Sequence, residues 1–406
     1  MSTVMICWGM GEGYGHANKI ACVTGGLEAT GLHVVIAARD RRLMEGVARR
    51  RGLACEVVQA PVLPATRSPD VATVFYSDLL LSRGYSDPDR LVEAIAGWRA
   101  LFEQHAPDVI AFEYAPTAIL AARGVDTPRL GFGTGFYYPP APLPRLIPEH
   151  MTGSGVAHDA GYDTALESVN QALHASGLTP VDGLEAVFDP GPVFITGAPE
   201  VDHFGHIRRD GRYTGPVSEN LSPGSALEWP QGKGPRIAGY LKAGAPGIER
   251  VLLRLNRVRA RFVLHLSPKK GERPEALARR LPRSTNVQIT LRPFDIDAMA
   301  RQASCFVCHA GNGATIASLM AGTPVFGLDL HPEQGLQVDA LRRAGLGDGT
   351  HFHAAAGDIG ERILALTRHG SRERQRARNF ARKYGGATLS PYRELVSGVA
   401  RLAGGA

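Results

Sequence analysis

The sequence is poor in the features that mark exported, membrane-spanning or disulfide-stapled proteins. Only five cysteines occur in 406 residues, an odd and sparse number that argues against a disulfide framework and for a reducing compartment. No apolar run approaches the ~20 residues of a membrane span. The N-terminus, MSTVMICWGMGEGYGH, has no basic stretch before its apolar residues, so we expect no signal peptide and a cytoplasmic protein.

Basic residues give a net charge of +6 and gather locally, as in RDRRLMEGVARRR and RHGSRERQRARNFARK. These clusters do not alternate with aromatic residues, so single-stranded nucleic acid is not the expected partner. Solvated helix faces are the favoured interpretation, and attraction of acidic substrates stays open.

Strand and helix signals alternate along the chain. The first half contains near-continuous apolar runs, VMICWG, HVVIAA, EVVQAP, DVIAFE and RLGFGT, which predict a parallel, doubly wound α/β sheet. The stretch around 215–235 is rich in Gly, Pro and Ser, and the alternation then restarts. We therefore predict two tandem Rossmann-like domains over 1–218 and 235–385, a linker over 219–234, and a C-terminal helix within 386–406 that docks on the first domain.

A glycine loop, GMGEGYGH, follows the first strand and ends in His16. The dinucleotide fingerprint G-x-G-x-x-G fails here, because Tyr14 or His16 stands where its third glycine belongs. Asp40 ends the second strand, where a ribose-binding acid would stand, so an NAD-binding protein remains a minor alternative. A tight turn is the plainer interpretation, but it leaves a titratable histidine at the strand-to-helix junction unexplained.

Glu113 ends the strand DVIAFE and is the natural partner of His16. The carboxyl ends of parallel strands face the same crevice, and a histidine held by a carboxylate is a suitable base near neutral pH. A solvated glutamate at the strand end is the competing interpretation.

A second glycine loop lies in CHAGNGATIASLMAGTP, residues 308–324. A strand ends at His309, and we expect a helix to begin near Ala314–Thr315, whose N-terminus suits a diphosphate. CFVCH matches the haem-attachment pattern, but period two puts Cys305 and Cys308 on opposite faces, so core cysteines are expected. A routine strand-to-helix turn is equally compatible with the glycines.

The segment from 294 to 347 resembles the donor-binding signature of the family 1, UDP-glycosyltransferase-like, sugar transferases of the GT-B fold. The resemblance rests on His309 and Gly311, Gly322 and Pro324, Glu333 and Gln334, and the helix with Ala340, Leu341, Gly345 and Gly347. GYGHANKIACVTGGLEATGLHVVIA resembles the family's GHxxPxxxLAxxLxxxGHxV opening. The resemblance implies two Rossmann-like domains with a cleft between them.

The resemblance also implies site residues. His16 matches the acceptor-activating base, and Glu113 stands where the family usually has an Asp that holds this base. The donor-binding positions are Lys242, Phe294 (or Arg292), His309, Gly311, Asn312, Gly313, Ala314, Thr315, Glu333 and Gln334. Among these, His309 is expected to give the diphosphate a hydrogen bond or charge.

Two departures bear on the substrate. Lys19 replaces the proline common in the family's opening. Ala317 replaces the ribose-binding Glu of plant members, which favours dTDP or another nucleotide over UDP. The implied activity is inverting hexosyl transfer, of the kind that glycosylates natural products, from a nucleotide sugar to a small-molecule acceptor without metal or cofactor. A sugar-nucleotide epimerase and a non-catalytic nucleotide-sugar-binding relative are the alternatives, and a homodimer is left open.

Overall fold

A computed structural model describes residues 1–65, 73–147, 158–219, 227–267, 286–351, 359–385 and 392–404. They form two compact units. The first contains the described residues of Met1–Ala198, Phe204–Gly215 and Leu389–Ala406, and the second contains those of Pro199–His203 and Pro216–Thr388. Residues 220–226 of the predicted linker and 386–391 of the predicted C-terminal segment lie outside the described ranges.

The first unit is built on a seven-stranded sheet in the order β3-β2-β1-β4-β5-β6-β7, with every pair of neighbours parallel. Its strands are β1 (Thr3–Trp8), β2 (His33–Ala38), β3 (Glu56–Gln59), β4 (Val109–Phe112), β5 (Arg129–Gly133), β6 (Val193–Ile195) and β7 (Arg212–Tyr213). Its helices are α1 (Tyr14–Glu28), α2 (Arg41–Arg51), α3 (Tyr76–Leu80), α4 (Pro88–His105), α5 (Pro116–Ala121), α6 (Tyr162–Ala175) and, from the C-terminal segment, α13 (Arg393–Leu402).

The second unit has a six-stranded parallel sheet in the order β10-β9-β8-β11-β12-β13. Its strands are β8 (Arg236–Lys242), β9 (Arg261–Ser267), β10 (Val287–Thr290), β11 (Cys305–Cys308), β12 (Val325–Asp329) and β13 (Gly347–His351). Its helices are α7 (Ile248–Leu255), α8 (Ile296–Gln302), α9 (Asn312–Met320), α10 (Pro332–Ala344), α11 (Ile359–Thr367) and α12 (Arg372–Gly385).

Local sequence explains these elements. Strand β1 is buried from Val4 to Trp8, as a central parallel strand covered on both faces should be. Helix α4 begins at Pro88, because the Asp87 side chain accepts a hydrogen bond from the Arg90 N–H and proline suits the first helical position.

The strand order reverses direction between β1 and β4 in the first sheet, and between β8 and β11 in the second. Open α/β sheets bind ligands outside the carboxyl ends of the strands at such a switch point. Lys242 ends β8, Glu113 and His309 directly follow β4 and β11, and His16 lies in the first turn of the helix after β1. The topology therefore brings the predicted residues together within each unit.

Helix α13 packs against α1 in the first unit. The approach is close at Gly26, where an added Cβ would lie 2.7 Å from Cγ2 of Val396. The Gly25–Gly26 pair, unfavourable in an isolated helix, therefore makes room for α13.

The short segment Pro199–His203 belongs to the second unit, although the residues on both sides of it belong to the first. Glu200 accepts hydrogen bonds from Lys383 Nζ (2.6 Å) and Tyr384 Oη (2.8 Å). The Gln337 side chain donates to the Val201 carbonyl at 2.9 Å.

None of the helices in the described ranges combines the length and apolarity that a bilayer crossing requires.

Candidate active site

His16 and Glu113 form a buried pair at the switch point of the first sheet. Nδ1 of His16 lies 2.8 Å from Oε2 and 3.0 Å from Oε1 of Glu113. His16 is 6% exposed and Glu113 is fully buried, so a solvated glutamate, the competing interpretation, is wrong. With Nδ1–H donating to the carboxylate, Nε2 is left with the lone pair that a general base needs.

Lys19 completes this cluster from the next turn of α1. Its Nζ lies 3.4 Å from Oε1 of Glu113, and the residue is only 2% exposed. Burial alone would raise the pKa of Glu113, but the charges of His16 and Lys19 and their hydrogen bonds hold it below its ordinary value. Sequence reasoning did not assign Lys19 to the site, although its spacing of three residues from His16 puts both on one helix face.

Aromatic rings enclose the imidazole of His16. The ring centroids of Trp8, Tyr114 and Tyr137 lie 5.4, 6.1 and 5.1 Å from it, with interplanar angles of 16°, 8° and 19°. Tyr137 also brings its Oη to 3.4 Å from Nε2. Water is therefore largely excluded from the ring, which strengthens the electrostatic coupling within the cluster.

The glycine loop lies against the reactive edge of His16. Gly11 has φ +77°, and a Cβ built there would lie 2.1 Å from Nε2. Only a residue without a side chain fits this approach.

Asp40 stands where the ribose-binding acid of an NAD site would stand. Its side chain instead caps α2 by accepting a hydrogen bond from the Leu43 N–H.

The second glycine loop leads into an uncapped helix. Helix α9 begins at Asn312, earlier than predicted, because Gly311 is the extended residue that precedes it. No side chain caps it, and its first turn has no acidic residue. A Cβ at Gly311 or Gly313 would meet nothing within 4 Å. The N–H groups of the first turn have no intrahelical acceptors, so this end can receive an anion.

His309 bonds to backbone groups through both ring nitrogens. Nδ1 lies 2.7 Å from the Leu328 carbonyl oxygen, and Nε2 accepts the Lys242 N–H at 2.8 Å. Burial, reinforced by the charge of Lys242, lowers the pKa of His309 to about 4. Of the hydrogen bond or charge expected from His309, this lowered pKa favours the neutral, hydrogen-bonding form near neutral pH. Its visible effect is to join the ends of β8, β11 and β12.

The other predicted donor-binding side chains differ in accessibility. Thr315 is fully buried and its N–H donates to the Gly311 carbonyl, so the anion-accepting N–H groups end at Ala314. Phe294 is 3% exposed and packs edge-on against His265. Gln334 is also buried, and its Oε1 accepts the Leu330 N–H at 2.8 Å, whereas Glu333 in the same turn of α10 is partly exposed.

No protein-family model matches the sequence, and no curated protein is significantly similar to it. Solved structures do match. The glycotransferase of kitacinnamycin has a TM-score of 0.71 at 16% identity, covering 99% of this chain and 98% of that chain. VinC, a glycosyltransferase in complex with dTDP, has a TM-score of 0.67 at 15% identity, with 99% of each chain covered. The spinosyn rhamnosyltransferase SpnG, complexed with spinosyn aglycone, has a TM-score of 0.66 at 16% identity, covering 98% of this chain and 99% of that chain.

This chain has the fold of these glycosyltransferases. The expected GT-B fold class, with two Rossmann-like parallel sheets, is confirmed.

The first unit also contains a cavity of about 1410 Å³. Its wall includes Tyr138 and the prolines at 139, 140, 142 and 144, together with Arg208 and Arg212. His16 is not among the lining residues, although Tyr137, which touches it, directly precedes this wall.

The second sheet contains an ion pair and two buried cysteines outside the predicted site. Asp329 and His351, at the ends of β12 and β13, pair at 2.5 Å, which sequence reasoning missed. Cys305 and Cys308 are buried free thiols, as expected of core cysteines, and burial raises the pKa of both. Within the described ranges, no group of three His, Cys, Asp or Glu side chains could hold a metal ion.

Proposed function

We propose that this protein is an inverting glycosyltransferase. It transfers a sugar from a dTDP- or UDP-linked donor to a hydroxyl or similar nucleophile of a small-molecule acceptor. The observation that carries the proposal is the buried His16–Glu113 pair at the switch point of one sheet, in a chain whose other sheet presents the uncapped N-terminus of α9. The nucleotide sugar binds to the second unit and the acceptor to the first.

The base is Nε2 of His16. It takes the proton of the acceptor hydroxyl while the acceptor oxygen forms a bond to the anomeric carbon on the face opposite the diphosphate. The bond between that carbon and the diphosphate oxygen breaks, and its electron pair leaves with the nucleoside diphosphate. Glu113 orients the imidazole through Nδ1 and stabilises the imidazolium that forms.

The leaving diphosphate gains negative charge, which the N–H groups of Asn312, Gly313 and Ala314 and the dipole of α9 stabilise. His309 contributes by positioning the backbone of Lys242 rather than by charge. Glu333 and Gln334 bind hydroxyls of the donor sugar, and Phe294 or Arg292 flanks the nucleobase.

Thymidine nucleotides are the preferred donors. Ala317 lacks the carboxylate that would bind a ribose 2′-hydroxyl, and deoxyribose has no such hydroxyl to bind. The complex of VinC with dTDP supports the same choice.

Thermal shift with dTDP, UDP and NAD tests the proposal. At a hundredfold excess over its dissociation constant a ligand stabilises by about 2.7 kcal/mol, so dTDP should raise the melting temperature clearly and NAD should not. A shift with NAD and none with either diphosphate would reject the donor site. With a donor sugar, an altered free sugar formed without acceptor would indicate an epimerase, and binding without turnover a non-catalytic relative.

A matched pair of variants locates the diphosphate. Gly313 and Gly15 are each the second residue of a helix, α9 and α1, and each would place a Cβ in open space. Gly313→Asp puts a carboxylate at the proposed phosphate site, yet an acid in the first turn favours the helix itself. We expect Gly313→Asp to abolish the dTDP shift and Gly15→Asp to retain it. The reverse result would put the diphosphate in the first unit.

A further inference from the structure

Lys19 is a buried cation beside the proposed base. The residue is 2% exposed, its Nζ lies 3.4 Å from Oε1 of Glu113, and it also lies 5.1 Å from the ring centroid of Tyr137. Lysines are almost never so deeply buried unless they are paired. Here the pairing carboxylate is the same one that holds His16.

The charges around His16 come from few groups. Trp8 is uncharged, and Tyr114 and Tyr137 face the imidazole as stacked rings. Behind Glu113, burial raises the pKa of Tyr138 and of Cys7, and Glu113 adds to the effect on Tyr138, so both stay neutral. Among the described residues, the ionised groups that contact this His–Glu pair are therefore Glu113 itself and Lys19. Glu12, in the adjoining glycine loop, is paired with Arg39 at 3.9 Å.

These two charges compensate each other. With His16 neutral, the cluster of His16, Lys19 and Glu113 has no net charge. When His16 accepts a proton, the cluster becomes +1 in a buried setting, whereas a His–Glu pair alone would become neutral. Lys19 thus opposes the protonation that Glu113 favours.

We propose that Lys19 is a positioning residue that shares the carboxylate of Glu113 with His16 and so keeps the imidazole unprotonated at lower pH. The inference deepens the proposed function and rests on it for its catalytic meaning. A weaker base suits an acceptor whose hydroxyl is itself acidic, as in a phenol or an enol, because proton transfer is most efficient when donor and acceptor are matched. The resulting +1 cluster also attracts the oxyanion that forms on the acceptor.

The test is a pH titration of ¹⁵N-labelled histidine by NMR, with the His16 signal assigned as the one missing from His16→Gln. Lys19→Gln removes the charge and keeps a donor that can still bond to Glu113. We expect the imidazole midpoint to rise by ~1 to 3 pH units, the usual size of the effect of a nearby charge. Lys19→Arg should stay near wild type, and the same change at the exposed Lys233, Lys233→Gln, should have no effect.

Glu113→Gln should move the midpoint the opposite way. If Glu113→Gln lowers the midpoint while Lys19→Gln leaves it unchanged, Lys19 is structural and the inference is overturned. If Lys19→Gln does not fold, Lys19→Met removes the same charge and is titrated in its place. The titration follows the imidazole whether or not sugar is transferred, so its outcome is separate from that of the nucleotide-binding test.

Discussion

Gly11→Ala should disable the proposed base without touching the nucleotide site. The new methyl group would lie 2.1 Å from Nε2 and 2.5 Å from Cε1 of His16, whereas ordinary contact begins at 3.4 Å. The loop or the ring must therefore move by about 1.3 Å, the difference between 3.4 and 2.1 Å. A misplacement of about 1 Å can lower turnover by ~10²-fold, and a non-glycine residue at positive φ adds ~1–2 kcal/mol of strain.

Gly13→Ala is the matched control. Gly13 also has positive φ, +95°, but a Cβ there would meet nothing within 4 Å. Steady-state turnover, corrected for the folded fraction, and dTDP affinity by calorimetry should be measured for both variants. We expect a loss of turnover of ~10²-fold only in Gly11→Ala, with unchanged dTDP affinity in both. Equal turnover losses would show that backbone strain, rather than contact with His16, is responsible.

Four further outcomes are expected. His16→Ala should lower turnover on a neutral hydroxyl by ~10²–10⁴ at unchanged dTDP affinity, with partial rescue by an ionised acceptor; full activity would eliminate His16 as the base. Glu113→Gln should move the acidic limb of the pH–rate profile to lower pH, because the imidazolium loses its negative neighbour; an unmoved limb would contradict the pairing. The pKa of His309 is lowered from 6.5 to about 4, so its neutral form contributes stability above pH 6.5 that is lost as the pH falls to about 4. That loss, roughly 3 kcal/mol, should be smaller in His309→Gln when urea midpoints are compared across this range. Activity should survive EDTA, and restoration by magnesium or manganese after a loss would refute the metal-free mechanism.

The architecture and the His16–Glu113 pair were predictable because each follows from a simple pattern. Continuous apolar runs such as the one in β1 indicate parallel strands, and parallel strands bring their carboxyl ends to one edge. The glycines of the first loop indicated a tight turn, but not that Gly11 lies against Nε2 of His16.

Other contacts depended on side-chain packing or on the register of distant strands. The burial of Lys19 requires both Glu113 and the Tyr137 ring, which are far away in sequence. The neutral state of His309 follows from its burial and from the nearby charge of Lys242. Its ring can bond to the Lys242 N–H and the Leu328 carbonyl only with β8, β11 and β12 in register. The start of α9 at Asn312 reflects the extended conformation of Gly311, which glycine allows without dictating.

The place of α13 has a consequence for biosynthesis. This helix covers Gly26 of α1, yet in the chain it comes after every strand of the second sheet. A ribosome releases the N-terminal part of a chain first, and domains often fold in that order. Here the first unit lacks one of its own helices until the second has been synthesised, so its last packing step follows the synthesis of the second unit. Arrest of translation before Arg393 should leave the Gly26 face of α1 reactive to hydrogen exchange, and release should protect it.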